Sequence, residues 1–195
     1  MYHSKNSNTQ SHNSSRKTTV RTLTLIGLMS AVICVMAPWA IPLPFSPVPL
    51  SFATFSIYFG LWVLGGKKGM VSTSIYLLLG VVGMPVFSGF TGGIGKLLGP
   101  TGGYLCGYLL LAVIGGFFLE RFDRRLLPSI CGMVLGTIIC YIVGTLWLTY
   151  QTGISFLSAL SIGVLPYLPG DIIKFVLAVL LGRRVQKRLQ KAGLV

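Results

Sequence analysis

The stretch CGMVLGTIICYIVGTLWLTY, residues 131–150, carries no charged side chain from end to end. About 20 apolar residues in a helix cross the roughly 30 Å hydrocarbon core of a bilayer, so the segment following Pro128 reads as a spanning helix that ends near Tyr150. Gly132, Gly136, Cys140 and Gly144 recur along it every four residues. That spacing keeps small side chains on one face, where a neighbouring helix can approach closely.

Outward from this run, five more apolar segments are separated by polar or irregular breaks: residues 22–37, about 50–64, 70–82, about 104–119, and a last one starting near Asp171 and turning basic at Arg183 and Arg184. The first ends at Pro38 without a small-x-small cleavage site, so it reads as a span and not as a signal peptide. With 53% hydrophobic residues, 10% charged residues and a mean hydropathy of +0.79, the composition is that of a membrane protein. The expected fold is an all-α membrane protein of six transmembrane helices. Its expected organisation is a disordered polar leader at 1–21, rich in Ser, Asn and Thr, a six-helix membrane domain at 22–185, and a basic tail at 186–195.

The net charge of +13 follows the membrane and not a nucleic acid, because the basic residues sit at the ends of apolar runs and no aromatic-basic platform accompanies them. Of the 16 Lys and Arg residues, four lie in the leader, two are Lys67 and Lys68, three are Arg121, Arg124 and Arg125, and five follow Gly182. Only Lys96 and Lys174 remain for the other side. The positive-inside rule then places both termini in the cytoplasm of a multi-pass protein of the cytoplasmic membrane.

On the opposite, outer face this orientation gathers three irregular stretches. PWAIPLPFSPVP at 38–49 holds five prolines, which exclude a regular helix, and offers Trp39 as an interfacial anchor. Residues 84–107 hold seven glycines between Gly89 and Gly103, a backbone able to fold tightly against a bound molecule. No phosphate loop is present, since Leu97 follows Lys96 where Ser or Thr is required. Residues 151–170 form an uncharged connection with a short interfacial helix expected around 154–163. Irregular backbone at membrane depth is tolerated where it lines a cavity, so the three stretches together predict a binding chamber.

The side-chain inventory argues against an enzyme. Both histidines, His3 and His12, lie in the leader, and the acids are Glu120, Asp123 and Asp171. Neither a metal site nor a carboxylate dyad is expected from such a set, and no cofactor is called for. Cys34, Cys106, Cys131 and Cys140 lie in apolar runs without metal-ligand spacing and read as small packing residues.

LPYLPGDIIK, residues 165–174, sets Asp171 and Lys174 three residues apart at a helix start, one turn from each other on one face. Ionisable groups at membrane depth mark functional sites by default. Two readings stay open on spacing alone: a pair that holds a polar solute, and a buried structural salt bridge.

GMPVFSGFTGGIGKLLGPTGGYLCG at 83–107, followed about sixty residues later by GVLPYLPGDIIK at 163–174, resembles the signature of the BioY family, the biotin-specific substrate-binding components of energy-coupling-factor (ECF) transporters. The likeness covers residues 22 to about 185. It implies a six-helix protein that captures biotin on the outer side and associates with a transmembrane coupling subunit and two cytoplasmic ATPases. It further implies that Asp171 and Lys174 line the biotin pocket and that Phe87, Ser88 and Tyr104 contribute contacts from the glycine-rich segment. A small-residue face on the first helix, with Gly27, Ser30 and Ala31, resembles the family's docking surface for the coupling subunit at Gly27 and Ala31. Gly27 stands where the family usually has alanine. A second departure is VPLSFAT at 48–54 against the family's VPxTxQT: Ser51 keeps a hydroxyl and Ala53 loses an amide, which implies altered ligand contacts at that point. Alternatives are a substrate-binding component for another vitamin, a stand-alone biotin facilitator, a lipid-acting enzyme with Asp171 as base, and a structural scaffold.

Overall fold

The structure, a computed structural model, describes the backbone of residues 5–44 and 46–193 and the side chains of residues 19–44 and 46–193. Among the described residues eight α-helices follow one another: α1 Lys5–Met36, α2 Ala53–Leu64, α3 Gly66–Val82, α4 Ile94–Leu98, α5 Gly102–Arg121, α6 Leu126–Thr152, α7 Phe156–Gly163 and α8 Leu168–Lys191. The six longer ones coincide with the six expected apolar segments. Of these, α1 from Thr19, α5, α6 and the stretch through α7 and α8 are long and apolar enough to cross a membrane; α2 and α3 are shorter. Helical backbone extends back from the first span to Lys5, where composition predicts an irregular leader. The first four leader residues and the last two of the basic tail lie outside the described residues.

The proline-rich segment is not a plain loop. Ala40–Leu43 (β1) and Ser46–Ser51 (β2) pair as an antiparallel hairpin, with an irregularity between Ile41 and Leu43 around Pro42. Proline's fixed φ suits extended backbone, and its missing N–H is tolerated in a two-stranded sheet where every strand is an edge.

α2 is the central element. It is hydrophobic on all sides, as a fully enclosed helix must be. Ile57, Tyr58, Leu61 and Trp62 are buried among Leu111, Ala112 and Leu119 of α5, Met133 of α6 and Ala178 of α8. The small-residue stripe of α6 packs on α5 as its spacing predicts: a Cβ on Gly136 would meet the Leu111 Cα at 3.0 Å, and one on Gly107 of α5 would meet the Cys140 Cα at 3.0 Å. Side chains larger than these would force the two backbones apart.

No loop separates α2 from α3. Gly65 makes the reversal at φ 92°, a conformation costly for residues with a Cβ, and the next residue brings α3 against α5. A Cβ on Gly66 would lie 2.2 Å from the Gly116 carbonyl oxygen. Because the obstacle is backbone, no rotamer change relieves it. Gly66→Ala is therefore expected to destabilise the protein by about 1–3 kcal/mol or more, the range of overpacking substitutions. The check is its thermal unfolding midpoint in detergent, where an unchanged value contradicts the α3–α5 contact.

Apart from Lys96 and Lys174, the basic residues whose side chains are described gather at one end of the bundle. The Lys67 N–H donates to Glu120 Oε1 at 2.7 Å, Arg124 donates to the Leu64 carbonyl at 3.2 Å and closes the C-terminus of α2, and Arg21 of α1 donates to the Gly193 carbonyl after α8. The irregular segments meet at the other end. Gly89 N–H donates to the Pro38 carbonyl, Tyr167 to the Val48 carbonyl and Trp147 Nε1 to the Gly99 carbonyl. Trp39 stands edge-on to Phe90, with ring centroids 5.7 Å apart.

Candidate binding site

α8 starts at Leu168, with Pro169 in its first turn where a missing N–H costs nothing. This brings Asp171 into the first turn, favoured by the positive end of the helix dipole, and Lys174 onto the same face one turn on. Asp171 Oδ1 accepts from Lys174 Nζ at 2.9 Å, and Oδ2 accepts from the Tyr141 hydroxyl of α6. Lys174 Nζ also donates to the Ser51 carbonyl of β2 at 2.7 Å and lies 5.9 Å from the Phe52 ring centre. The side chains of the pair are only 13% and 10% exposed. An ammonium has three donors and a carboxylate about four acceptor positions, so the contacts leave capacity on both groups for another molecule.

Beside it lies a cavity of about 40 Å³ lined by Val48, Pro49 and Ser51 of the hairpin, Thr54 of α2, Tyr104, Tyr108 and Leu111 of α5, Thr137, Cys140 and Tyr141 of α6, Gly163, Tyr167 and Asp171. Its walls combine aromatic faces with hydroxyls, a mixed surface suited to an amphiphilic solute. Thr54 Oγ1 is buried without a hydrogen-bond partner among the described residues. Such a group costs free energy unless something pairs with it.

Tyr104 is in the cavity wall. Its ring fills the hollow over Gly144, where a Cβ would come within 2.3 Å of the ring, and its hydroxyl donates to the Gly163 carbonyl at 3.2 Å. Phe87 and Ser88 are elsewhere. Phe87 is fully buried under the glycine-rich segment, seated on Gly80 of α3 and edge-on to Tyr76 with ring centroids 5.7 Å apart. Ser88 is partly exposed and accepts at its carbonyl from the Thr91 hydroxyl at 3.0 Å. The two residues adjoin a turn closed by Phe87 and Thr91, so they shape the segment and do not line the cavity. Ala53 adjoins Thr54 of the cavity wall but is itself buried in the apolar cluster with Met29, Ile33 and Phe87. Lys96 lies on α4, where partial burial lowers its pKa from the ordinary lysine value.

On α1, Gly27 and Ala31 are exposed and a Cβ on Gly27 would touch nothing. Ser30, about 60° around the helix from Gly27, faces inward: it is buried, and its one hydroxyl hydrogen is shared between the Ile26 carbonyl at 2.9 Å and the Ser72 carbonyl at 3.2 Å. The exposed part of the expected small face is thus Gly27 and Ala31, with Ser30 at its buried edge.

Tyr141, Tyr108, Thr137, Thr54 and Tyr167 were not singled out by sequence reasoning. A signal for most of them exists: hydroxyl residues recur four apart within apolar helices, as Thr54 and Tyr58, Tyr104 and Tyr108, and Thr137 and Tyr141. Each pair lies on one helix face, and buried tyrosine hydroxyls need partners. Tyr58 and Thr137 meet across α2 and α6 at 2.6 Å.

A family model described as the BioY family matches residues 7–191. The biotin transporter BioY2 of Lactococcus lactis subsp. cremoris is 35% identical over 167 residues, covering 86% of this chain and 91% of that protein. The biotin transporter BioY of Thermotoga maritima is 37% identical over 168 residues, covering 86% and 97%. A solved structure described as the S-component for biotin from an ECF-type ABC transporter superposes with a TM-score of 0.80 at 35% identity, covering 87% of this chain and 92% of that one.

Proposed function

This chain belongs to the BioY family, and we propose that the cavity beside Asp171 and Lys174 is where it captures biotin. The chain is a membrane transporter for biotin uptake and not an enzyme, in keeping with relatives that are named as transporters. The observation that carries the site assignment is the convergence on one cavity of Asp171, ion-paired to Lys174 behind it, a Thr54 hydroxyl without a partner among the described residues, and tyrosine rings.

Biotin presents two ureido N–H donors and one acceptor, an apolar thiophane ring and an anionic valerate tail. Asp171 accepts ureido N–H, while Thr54 and the free donor of Lys174 serve the oxygens. Tyr104, Tyr108 and Tyr167 supply the apolar walls. Phe87 and Ser88 take a supporting part by anchoring the glycine-rich segment over the site. Six helices span the cytoplasmic membrane, with the basic end and both termini in the cytoplasm and the hairpin end outside. Capture is therefore from the outer side. The exposed Gly27–Ala31 face of α1 admits close approach of the ECF coupling subunit, through which two cytoplasmic ATPases drive release inward. The chain has no phosphate loop of its own.

The test is calorimetric titration of the purified chain in nanodiscs with biotin, alongside desthiobiotin, thiamine and riboflavin. Tight biotin binding with no heat from thiamine or riboflavin is expected; absence of biotin binding overturns the assignment. Biotin uptake into proteoliposomes containing this chain alone would replace the ATPase-driven reading with that of a facilitator.

A further inference from the structure

The cavity's volume of about 40 Å³ is well below the roughly 300 Å³ at which small-molecule pockets usually begin, so a bicyclic solute needs more room than these walls leave. The required room lies directly behind one of them. α6 packs on α5 and α7, α8 packs on α2, and between α6 and α8 runs a groove of about 220 Å³. Its rim residues Val134, Ile138 and Ile172 are exposed, so it opens on the bilayer side of the bundle. Thr137, Tyr141 and Asp171 border both spaces and form the partition between them.

The three partition residues are not held alike. The Thr137 hydroxyl is tied to Tyr58 at 2.6 Å and donates to the Met133 carbonyl at 2.7 Å, and Asp171 is ion-paired to Lys174. Tyr141 is only partly buried, and its hydroxyl makes one hydrogen bond, to Asp171 Oδ2. That bond occupies the carboxylate oxygen with an O–H donor, the same chemistry a ligand N–H offers.

The geometry points to Tyr141 as a displaceable gate: its hydroxyl holds Asp171 Oδ2 until a ligand N–H takes that oxygen, and its ring then swings into the α6–α8 groove, joining the two spaces. The inference rests on the biotin reading of the site. It assigns the groove to a side chain of this protein, and it makes Tyr141 a filter that favours solutes carrying a donor strong enough to displace a hydroxyl. The exchange replaces one charge-assisted hydrogen bond by another, so its cost is the small one of rotating a ring into room already present.

The test is a set of biotin titrations on the full chain in nanodiscs: wild type, Tyr141→Phe, Tyr141→Ala, Ile138→Trp and the Ile138→Trp/Tyr141→Ala double variant. Tyr141→Phe, which loses the competing hydroxyl and keeps the ring, should bind biotin about three- to tenfold tighter than wild type, because the competent arrangement is no longer taxed. Ile138→Trp fills the groove from an exposed position and should weaken binding about tenfold or more. In the Tyr141→Ala background, where there is no ring to accommodate, the same tryptophan should cost less than about twofold, a coupling that only shared use of the groove produces. Unchanged or weaker binding by Tyr141→Phe overturns the gate, since the hydroxyl would then not compete with the ligand or would serve the bound state. Equal losses from Ile138→Trp in both backgrounds also overturn it, since the ligand itself would then occupy the groove. A wild-type chain that binds no biotin overturns the site reading beneath it, whereas a binding wild type with either contrary variant result overturns the gate alone. Tyr141→Phe adds no bulk to the fold, so that arm stands even where Ile138→Trp fails to fold.

Discussion

Asp171→Asn is expected to weaken biotin binding by at least a hundredfold while leaving the fold in place. The substitution keeps the shape of the side chain, so packing against Tyr141 and the hairpin is retained. It removes the negative charge and turns one of two acceptor oxygens into a donor group. In the structure both oxygens are committed to accepting, one from Lys174 and one from Tyr141. An amide nitrogen must therefore face another donor, and a ligand N–H loses its charged acceptor. Truncating one member of a buried, hydrogen-bonded charge pair at a binding site costs about 2–5 kcal/mol or more, and a hundredfold change in affinity corresponds to about 2.7 kcal/mol. Calorimetry in nanodiscs reads the affinity, and size-exclusion behaviour reads the fold. A loss smaller than about fivefold in a well-folded variant would remove Asp171 from the ligand contacts.

Lys174→Met is expected to act more on stability, by about 3–5 kcal/mol, the cost of leaving one member of a buried ion pair without its partner. Lys174 is 8% exposed, and its ammonium joins Asp171 to the Ser51 carbonyl, so the substitution leaves a buried carboxylate short of its cation and frees β2 from α8. Methionine preserves the apolar stem. The companion is the Asp171→Asn/Lys174→Met double variant, in which no unpaired charge remains. It should recover much of the lost stability, because replacing a whole buried pair by neutral groups is often close to neutral, and it should still fail to bind biotin. Chemical unfolding in detergent measures the first effect and calorimetry the second. A Lys174→Met variant as stable as its parent would show that the ammonium is already well hydrated.

How far the residues themselves reveal the site depends on whether a role is local. Asp171 and Lys174 stood out because charges are scarce in an apolar chain, and their juxtaposition follows from helical spacing within α8. Tyr104 could be proposed from its place beside the glycine-rich segment. Phe87 had the same sequence neighbourhood and went elsewhere, because the absent side chain of Gly80 on α3 leaves a seat for its ring. Nothing in the linear order distinguishes those two aromatic residues. Tyr141 illustrates the converse: thirty residues from Asp171, it is a ligand of that carboxylate only because α6 and α8 come together at the hairpin end. Ser30 was grouped with Gly27 and Ala31 by size, yet its hydroxyl needed an acceptor and found one on α3. The hairpin was half legible, since prolines forbid helix but do not choose between loop and strand.

By itself the sequence determined what depends on composition and on short repeats: a membrane protein with six apolar segments, basic residues segregated to one set of turns, and a small-residue stripe that brings α5 and α6 together. These follow from transfer free energies and helical periodicity, which act within a segment. Only the tertiary structure decided which hydroxyls surround the charge pair, that Phe87 lies in the core while Tyr104 lines the cavity, and that Thr137, Tyr141 and Asp171 stand between that cavity and the groove between α6 and α8. Those outcomes depend on which backbone stands opposite each side chain, and that is set by the packing of helices far apart in the chain.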